Sequence, residues 1–162
     1  MKDIVYYTNK NSVNLFAEAL GELISPTDYA RTVKVELSHI GIDSCGITLK
    51  DASGLSPANA VPAEVFTDLL IWAKGHLSDA FVSSLPRGNV DWGLRVYSDH
   101  PVLRENVIAK TGSMSGVRAL AGYLKNQKGE TLAFTILVNN YVGDPVKVQE
   151  IIRDLLKDIA DK

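Results

Sequence analysis

One cysteine, Cys45, in 162 residues excludes an internal disulfide and leaves the redox compartment unreadable from cysteine usage. Excess positive charge is missing too: 17 Lys and Arg stand against 19 Asp and Glu, a formal net charge of −2. A chain without a basic surplus lacks the electrostatic footprint that a phosphate backbone selects, so nucleic acid is not an expected partner. No apolar run approaches the ~18 residues of a membrane-spanning helix. The opening MKDIVYY has neither an apolar segment nor a small-residue cleavage site, so it predicts no export signal. The histidines, His39, His76 and His100, show no metal-ligand spacing, and no metal or other cofactor is expected. With 46% hydrophobic and 22% charged residues, no internal repeat and no low-complexity tract, the chain suits one soluble globular domain with a real core.

Two periodicities divide the sequence. Apolar residues recur at helical spacing over 15–24, 29–40 and 65–73, which predicts three helices. Thr27 after Pro26 is a candidate N-cap, Pro62 suits a first helical turn, and Gly41 and Gly75 are candidate stops. Between the second and third helices, GITLKDASGLSPANAVP reads as a short strand followed by a loop, in which Asp51 and Ser53 suit turn formation better than catalysis. Further on, NVIAKTG, VRALAGYL and LAFTILVNN are separated only by SMSG and KNQKGE, links too short for crossover helices. Three antiparallel strands are expected, the last apolar enough for burial on both faces. Val148, Ile151, Ile152, Leu155, Leu156 and Ile159 then form one stripe of a closing helix that packs on the sheet.

The predicted fold class is therefore α/β of the α+β type, an antiparallel sheet flanked by helices. Within the single domain, residues 1–105 form a mainly helical part and residues 106–162 the strands and the last helix. Residues 86–106 read as a long surface connection. Trp72 is expected in the core, and Trp92 either covers the core or walls a cleft.

Candidate chemistry concentrates in AKTGSMSG. At the end of a strand, Lys110 can hold a carboxylate by a charge-assisted hydrogen bond, Thr111 adds a hydroxyl, and Gly112 lets a ligand approach the backbone. Taken alone, the tripeptide favours an ordinary strand end with a solvated lysine and a turn glycine. In TNKNSVNLFAEAL, Ser12 and Asn14 bring a hydroxyl and an amide to the mouth of a helix, where a capping serine is the plainer reading. Arg118 can reach a ligand carboxylate or serve as an exposed strand cation.

Together and in this order, Ser-x-Asn and Lys-Thr-Gly are two of the three motifs of active-site-serine penicilloyl enzymes. With TNKNSVNLFAEAL, DASGLSPANAVP, FVSSLP, AKTGSMSGVRALAGYL and LAFTILVNN, the chain resembles the C-terminal portion of the D-alanyl-D-alanine carboxypeptidase/endopeptidase family of low-molecular-mass penicillin-binding proteins, serine peptidase family S13. The resemblance implies part of the beta-lactamase/penicillin-binding transpeptidase-like fold. It also implies a serine acyl-enzyme mechanism on peptidoglycan stem peptides ending in D-Ala-D-Ala, with beta-lactams as mimics of that dipeptide. By similarity, Ser12 relays a proton near the leaving amine and Asn14 holds the acyl-side amide. Lys110 and Thr111 bind the terminal carboxylate, Gly112 admits the ligand, and Ser113 supplies a backbone N–H to the oxyanion hole.

The third motif, Ser-x-x-Lys, occurs nowhere in the chain; Ser53, Ser84 and Ser115, for example, are followed at the third position by Ser56, Arg87 and Arg118. The chain is accordingly expected to be inert alone and to need an N-terminal portion of the same enzyme, which in the family carries the nucleophile, further strands and an export signal. Full-length members of the family work in the periplasm or elsewhere outside the cytoplasm. LAFTILVNN is then expected to present an unpaired sheet edge through which the chain can self-associate. A binding module that holds peptides without cleaving them is the alternative, with a serine beta-lactamase or esterase less similar. Departures from the family are NVDWGLR, where relatives read closer to Asp-Gly-Thr, and Val13, where an acidic or polar residue is common.

Overall fold

Left-handed residues and acidic caps set the helix boundaries in residues 1–84, the first of two units into which the computed structural model, describing residues 1–162, divides. Its helices are α1 (Lys2–Asn11), α2 (Asn14–Ile24), α3 (Tyr29–His39), α4 (Ala63–His76) and α5 (Asp79–Ser84). Helix α1 buries none of its residues, so it carries no apolar stripe by which periodicity could reveal it. A polar tie holds it: Asn9 Nδ2 donates to Ser84 Oγ of α5 at 2.7 Å, and Ser84 in turn donates to the Phe81 carbonyl at 2.6 Å.

Ser12 does not cap α2. It ends α1 with φ 52° and ψ 48°, and Val13 holds the N-cap position of α2. Asp28, rather than Thr27, caps α3 by accepting from the Arg31 N–H at 3.2 Å. Gly41, at φ +81°, stops that helix as expected, but Gly75 lies inside the last turn of α4. The short strand expected after residue 46 is reduced to one bridge, Thr48 to Ala60. Side chains organise the chain between them: Asp51 accepts from the N–H groups of Gly54 and Ser56 and from Asn59 Nδ2, at 2.8, 2.6 and 2.8 Å. The core of this unit gathers Leu37, Ile42, Ile47 and Val65, with half-buried Trp72 against them.

The second unit, residues 85–162, corrects the reading of 86–106 as a surface connection. A 3₁₀ helix (Trp92–Tyr97) and α6 (Pro101–Asn106) fill it, and each sends one leucine, Leu94 and Leu103, fully into the core at 0% exposure. The strands β1 (Val107–Met114), β2 (Val117–Lys125) and β3 (Thr131–Asn139) form an antiparallel sheet in that order. Continuous register runs from Val107 opposite Leu124 to Met114 opposite Val117, and from Val117 opposite Asn139 to Lys125 opposite Thr131. Along β3 the middle residues are only half-buried and both ends exposed, less than its apolar sequence suggests. It pairs on one edge only, with β2.

Helix α7 (Pro145–Ala160) starts where Asp144 accepts from the Val146 N–H at 2.8 Å, with Pro145 preset for the first turn. It buries Ile152, Leu156 and Ala160 in the cluster that holds Ala109, Leu120 and Leu124 of the sheet. No helix is long and apolar enough to cross a membrane.

Candidate functional site

The outer edge of β1 explains why Lys-Thr-Gly sits where it does. Its first residues are covered: the Gly88 N–H donates to the Val107 carbonyl at 3.0 Å, and the Ala109 N–H donates to the Pro86 carbonyl at 2.9 Å. Gly88 is required there, because a Cβ would lie 2.9 Å from the carbonyl oxygens of both Leu103 and Arg104. Cover ends at Ala109. In an antiparallel ladder, the N–H and C=O of alternate residues face the same edge. Ala109 faces outward, so the unbroken register makes Thr111 and Ser113 face outward as well. The backbone N–H of Ser113 is thereby aimed off the sheet.

Side chains alternate between the two faces of the strand. Ala109 belongs to the α7 face, which places Thr111 and Ser113 there and Lys110 and Gly112 on the opposite one. Lys110 is half-buried, its ammonium donating to the Thr111 carbonyl at 2.7 Å, and burial holds its pKa below the ordinary lysine value. Gly112 keeps β1 close to β2, since a Cβ would stand 3.2 Å from that of Ala119. Opposite Ser113, Arg118 Nη1 donates to the serine Oγ at 2.6 Å and to the Met114 and Val117 carbonyls at 3.3 and 3.0 Å. Beneath them, burial pushes the Tyr97 hydroxyl up to about 12, with the Arg118 charge opposing.

Ser12 and Asn14 belong to the first unit and are exposed at the α1–α2 junction. A non-glycine residue in the left-handed region stores ~1–2 kcal/mol of strain, and Ser12 is such a residue. Helix α2 is locked by the DASG loop. Glu18, one turn beyond Asn14, accepts from the N–H groups of Ala52 and Ser53 at 3.3 and 2.9 Å. Gly21 lets that loop approach, since a Cβ there would come within 2.6 Å of Ala52 Cβ. Glu18 and this close approach were not read from the sequence; an acid and a glycine three apart on one helix are the only trace.

The Ser53 side chain's hydrogen bond, opposed by burial and aided by the two backbone N–H groups, holds the Glu18 carboxyl below its ordinary value. For Asp51, burial alone would raise the carboxyl, but the hydrogen bonds from Asn59, Gly54 and Ser56 outweigh it and depress the pKa. Depressed folded-state values mean stability that is complete above the unfolded pKa and lost as pH falls through the folded one. The loop should therefore weaken below about pH 4. In thermal melts followed by circular dichroism at pH 7 and pH 3, Asp51→Asn is expected to lower the midpoint at pH 7 and to shrink the acid-induced drop; an unchanged drop would count against this role.

The D-Ala-D-Ala carboxypeptidase 3 (S13) family profile matches residues 1–161. This chain belongs to that family. The S13 chain is 36% identical over 165 residues to the D-alanyl-D-alanine carboxypeptidase of an Actinomadura species, covering 95% of this chain and 30% of that protein. It is 32% identical over 159 residues to the D-alanyl-D-alanine carboxypeptidase DacB of Haemophilus influenzae, covering 89% and 33%. It thus spans about a third of the length of these relatives. Among solved structures, penicillin-binding protein 4 (dacB) of Haemophilus influenzae, complexed with a novel beta-lactam, superposes with a TM-score of 0.90 at 28% identity, over 99% of this chain and 41% of that one. The TLA-1 extended-spectrum beta-lactamase shares the fold at a TM-score of 0.79 and 16% identity, over 99% and 63%. The S13 chain has the mixed architecture expected, helices and a three-stranded antiparallel sheet, in a fold shared with penicillin-binding proteins and beta-lactamases.

Proposed function

We propose that this chain provides the carboxylate-binding and proton-relay residues of an S13 D-alanyl-D-alanine carboxypeptidase or endopeptidase acting on peptidoglycan stem peptides. The observation that carries the reading is the outer edge of β1, covered as far as Ala109 and presenting Lys110, Thr111, Gly112 and Ser113 beyond it. An extended peptide adds along such an edge by main-chain hydrogen bonds. Lys110 and Thr111 receive its terminal carboxylate, and Gly112 keeps the strand free of obstruction.

In the reaction, a serine Oγ attacks the carbonyl carbon of the scissile D-Ala-D-Ala bond. The outward N–H of Ser113 donates to the oxygen on which negative charge develops. As the C–N bond breaks, Ser12 passes a proton to the leaving amine, while Asn14 holds the acyl-side amide. Water then hydrolyses the acyl-enzyme. Beta-lactams enter as dipeptide mimics, and the work is extracytoplasmic.

Neither a Ser-x-x-Lys serine nor its base is among these 162 residues, so the chain alone binds without turnover. Loss of a serine hydrolase's nucleophile costs about 10⁶-fold. The unpaired edge of β3 is where the rest of the enzyme, or a second copy, adds strands. A single preparation tests the reading. After incubation with penicillin its intact mass should be unchanged, whereas an acyl-D-Ala-D-Ala peptide should bind more tightly than its C-terminal amide, with the preference lost in Lys110→Gln. A beta-lactam adduct would overturn the claim of inertness, and equal binding of acid and amide would overturn the carboxylate site.

A further inference from the structure

Strand β3 ends the sheet on one side and carries none of the devices that keep a sheet edge from pairing. Charged residues, proline and bulges are the usual ones. TLAFTILVN, from Thr131 to Asn139, has no charge and no proline, and its register with β2 is unbroken. Because the Ala109 backbone is turned away from β2, Gly122 opposite it is turned toward β3 and bonds with Phe134. Alternation along β3 then sets the backbone of Thr131, Ala133, Leu137 and Asn139 facing off the sheet.

Helix α7 flanks this edge. Gln149 looks toward β1, where with Thr111, Ser113 and Arg118 it lines a cavity that has no Asp or Glu in its wall. Ile151 stands about 200° further round the helix and so looks the other way, toward β3. Ile151 and Leu155 are 68% and 46% exposed. With half-buried Phe134, Ile136 and Val138 of β3, they make an apolar strip along the free edge. Lys147, Ile151, Leu155 and Asp158 form one line along the helix, a cation at its start and an anion at its end.

We propose that a second copy of this chain pairs with β3 across a two-fold axis at position 135, making one six-stranded antiparallel sheet. Ala133 of one copy stands opposite Leu137 of the other, and Thr131 opposite Asn139, so all nine residues pair. The same axis makes the two α7 helices antiparallel. It brings the Lys147 end of each line toward the Asp158 end of the other, and each apolar strip covers its counterpart. This self-complementarity of charge and apolar surface favours a second copy as the occupant. Such a contact uses the same patch twice and closes on itself. Along β1 the other edge is covered as far as Ala109, which leaves no long edge for a third copy. The inference rests on the reading of β3 as the open edge and commits that edge, in this chain, to its own copy. The carboxylate site lies at the opposite edge of the sheet, so either can fail without the other.

Sedimentation velocity over a range of concentrations should show one chain passing into two and nothing larger. Ile151→Glu should weaken the dimer by about tenfold or more, because pairing would bury an uncompensated charge in the apolar strip. Ile151 is exposed in the single chain, so the variant keeps its fold. Leu15→Glu, at an exposed residue of the first unit, should change the constant by less than about twofold, as a surface substitution away from the contact does. Cross-linking reads the register. In a Cys45→Ser background, which removes the sole cysteine, an Ala133→Cys variant mixed with a Leu137→Cys variant should be joined by a short bifunctional thiol reagent, the paired Cβ atoms being about 5.5 Å apart. Neither variant alone should be joined, since like residues lie four positions out of step. A chain that stays single, a ladder of larger species, a dimer indifferent to Ile151→Glu or weakened by Leu15→Glu, or cross-linking of either cysteine variant with itself would each overturn the proposal.

Discussion

Gly122→Ala should cost the second unit more than about 3 kcal/mol, beyond the usual range for overpacking. Gly122 stands opposite Ala109 in the β1–β2 ladder. Because the Ala109 N–H is turned outward to Pro86, this is a non-hydrogen-bonded pair, in which opposing residues approach most closely. A Cβ on Gly122 would fall within van der Waals contact of the Ile108 carbonyl oxygen, 2.5 Å from Ala109 Cα and 2.6 Å from its Cβ. Two of those obstacles are backbone, which no rotamer change can clear. The strand that carries Lys110 would have to separate from β2 to make room. Thermal or urea unfolding is the measurement. A loss below about 1 kcal/mol, the scale of an ordinary mutation, would mean that the strands can part without penalty.

Leu94→Ala should cost about 2–5 kcal/mol, the range for truncating a buried leucine. Leu94 lies in the 3₁₀ helix, is 0% exposed, and joins Leu103, Leu120 and Leu156 in one cluster. Were residues 86–106 a surface connection, the same change would stay within about 0.5 kcal/mol, as surface substitutions do. Urea unfolding of the variant therefore separates the two readings by a wide margin. Peptide binding should weaken as well, since the backbone of Gly93 lies close to Thr111 Oγ1, where a Cβ would stand 3.4 Å away.

The contrast at Leu94 shows what was legible in the sequence. The three strands and α7 were readable because period-two and period-3.6 patterns ran long enough between short polar links. The 3₁₀ helix and α6 were not, because each has six residues and sends a single leucine fully into the core. Leu94 with Tyr97 in the one, and Leu103 in the other, are too few buried positions to set a period. Helix α1 failed for the opposite reason, burying nothing and holding on through Asn9 and Ser84. Boundary errors were chemical: Asp28 outcompeted Thr27 as a cap, and Ser12 took a left-handed conformation that serine rarely adopts. The Lys-Thr-Gly segment was legible as a motif. That its outer edge is covered up to Ala109, and that Arg118 faces Ser113 beside a cavity without acids, depends on register and packing, which no spacing in the sequence encodes.

The Pro86–Gly88 segment also acts as an end-stop. Antiparallel pairing repeats every two residues, so a strand laid along a bare edge can slide by that step and keep its hydrogen bonds and its facing. Along β1 sliding toward Val107 is blocked, because the outward groups at Val107 and Ala109 are already engaged. A chain that docks there cannot advance past Thr111 toward Val107, so one of the two directions of slippage is closed to it.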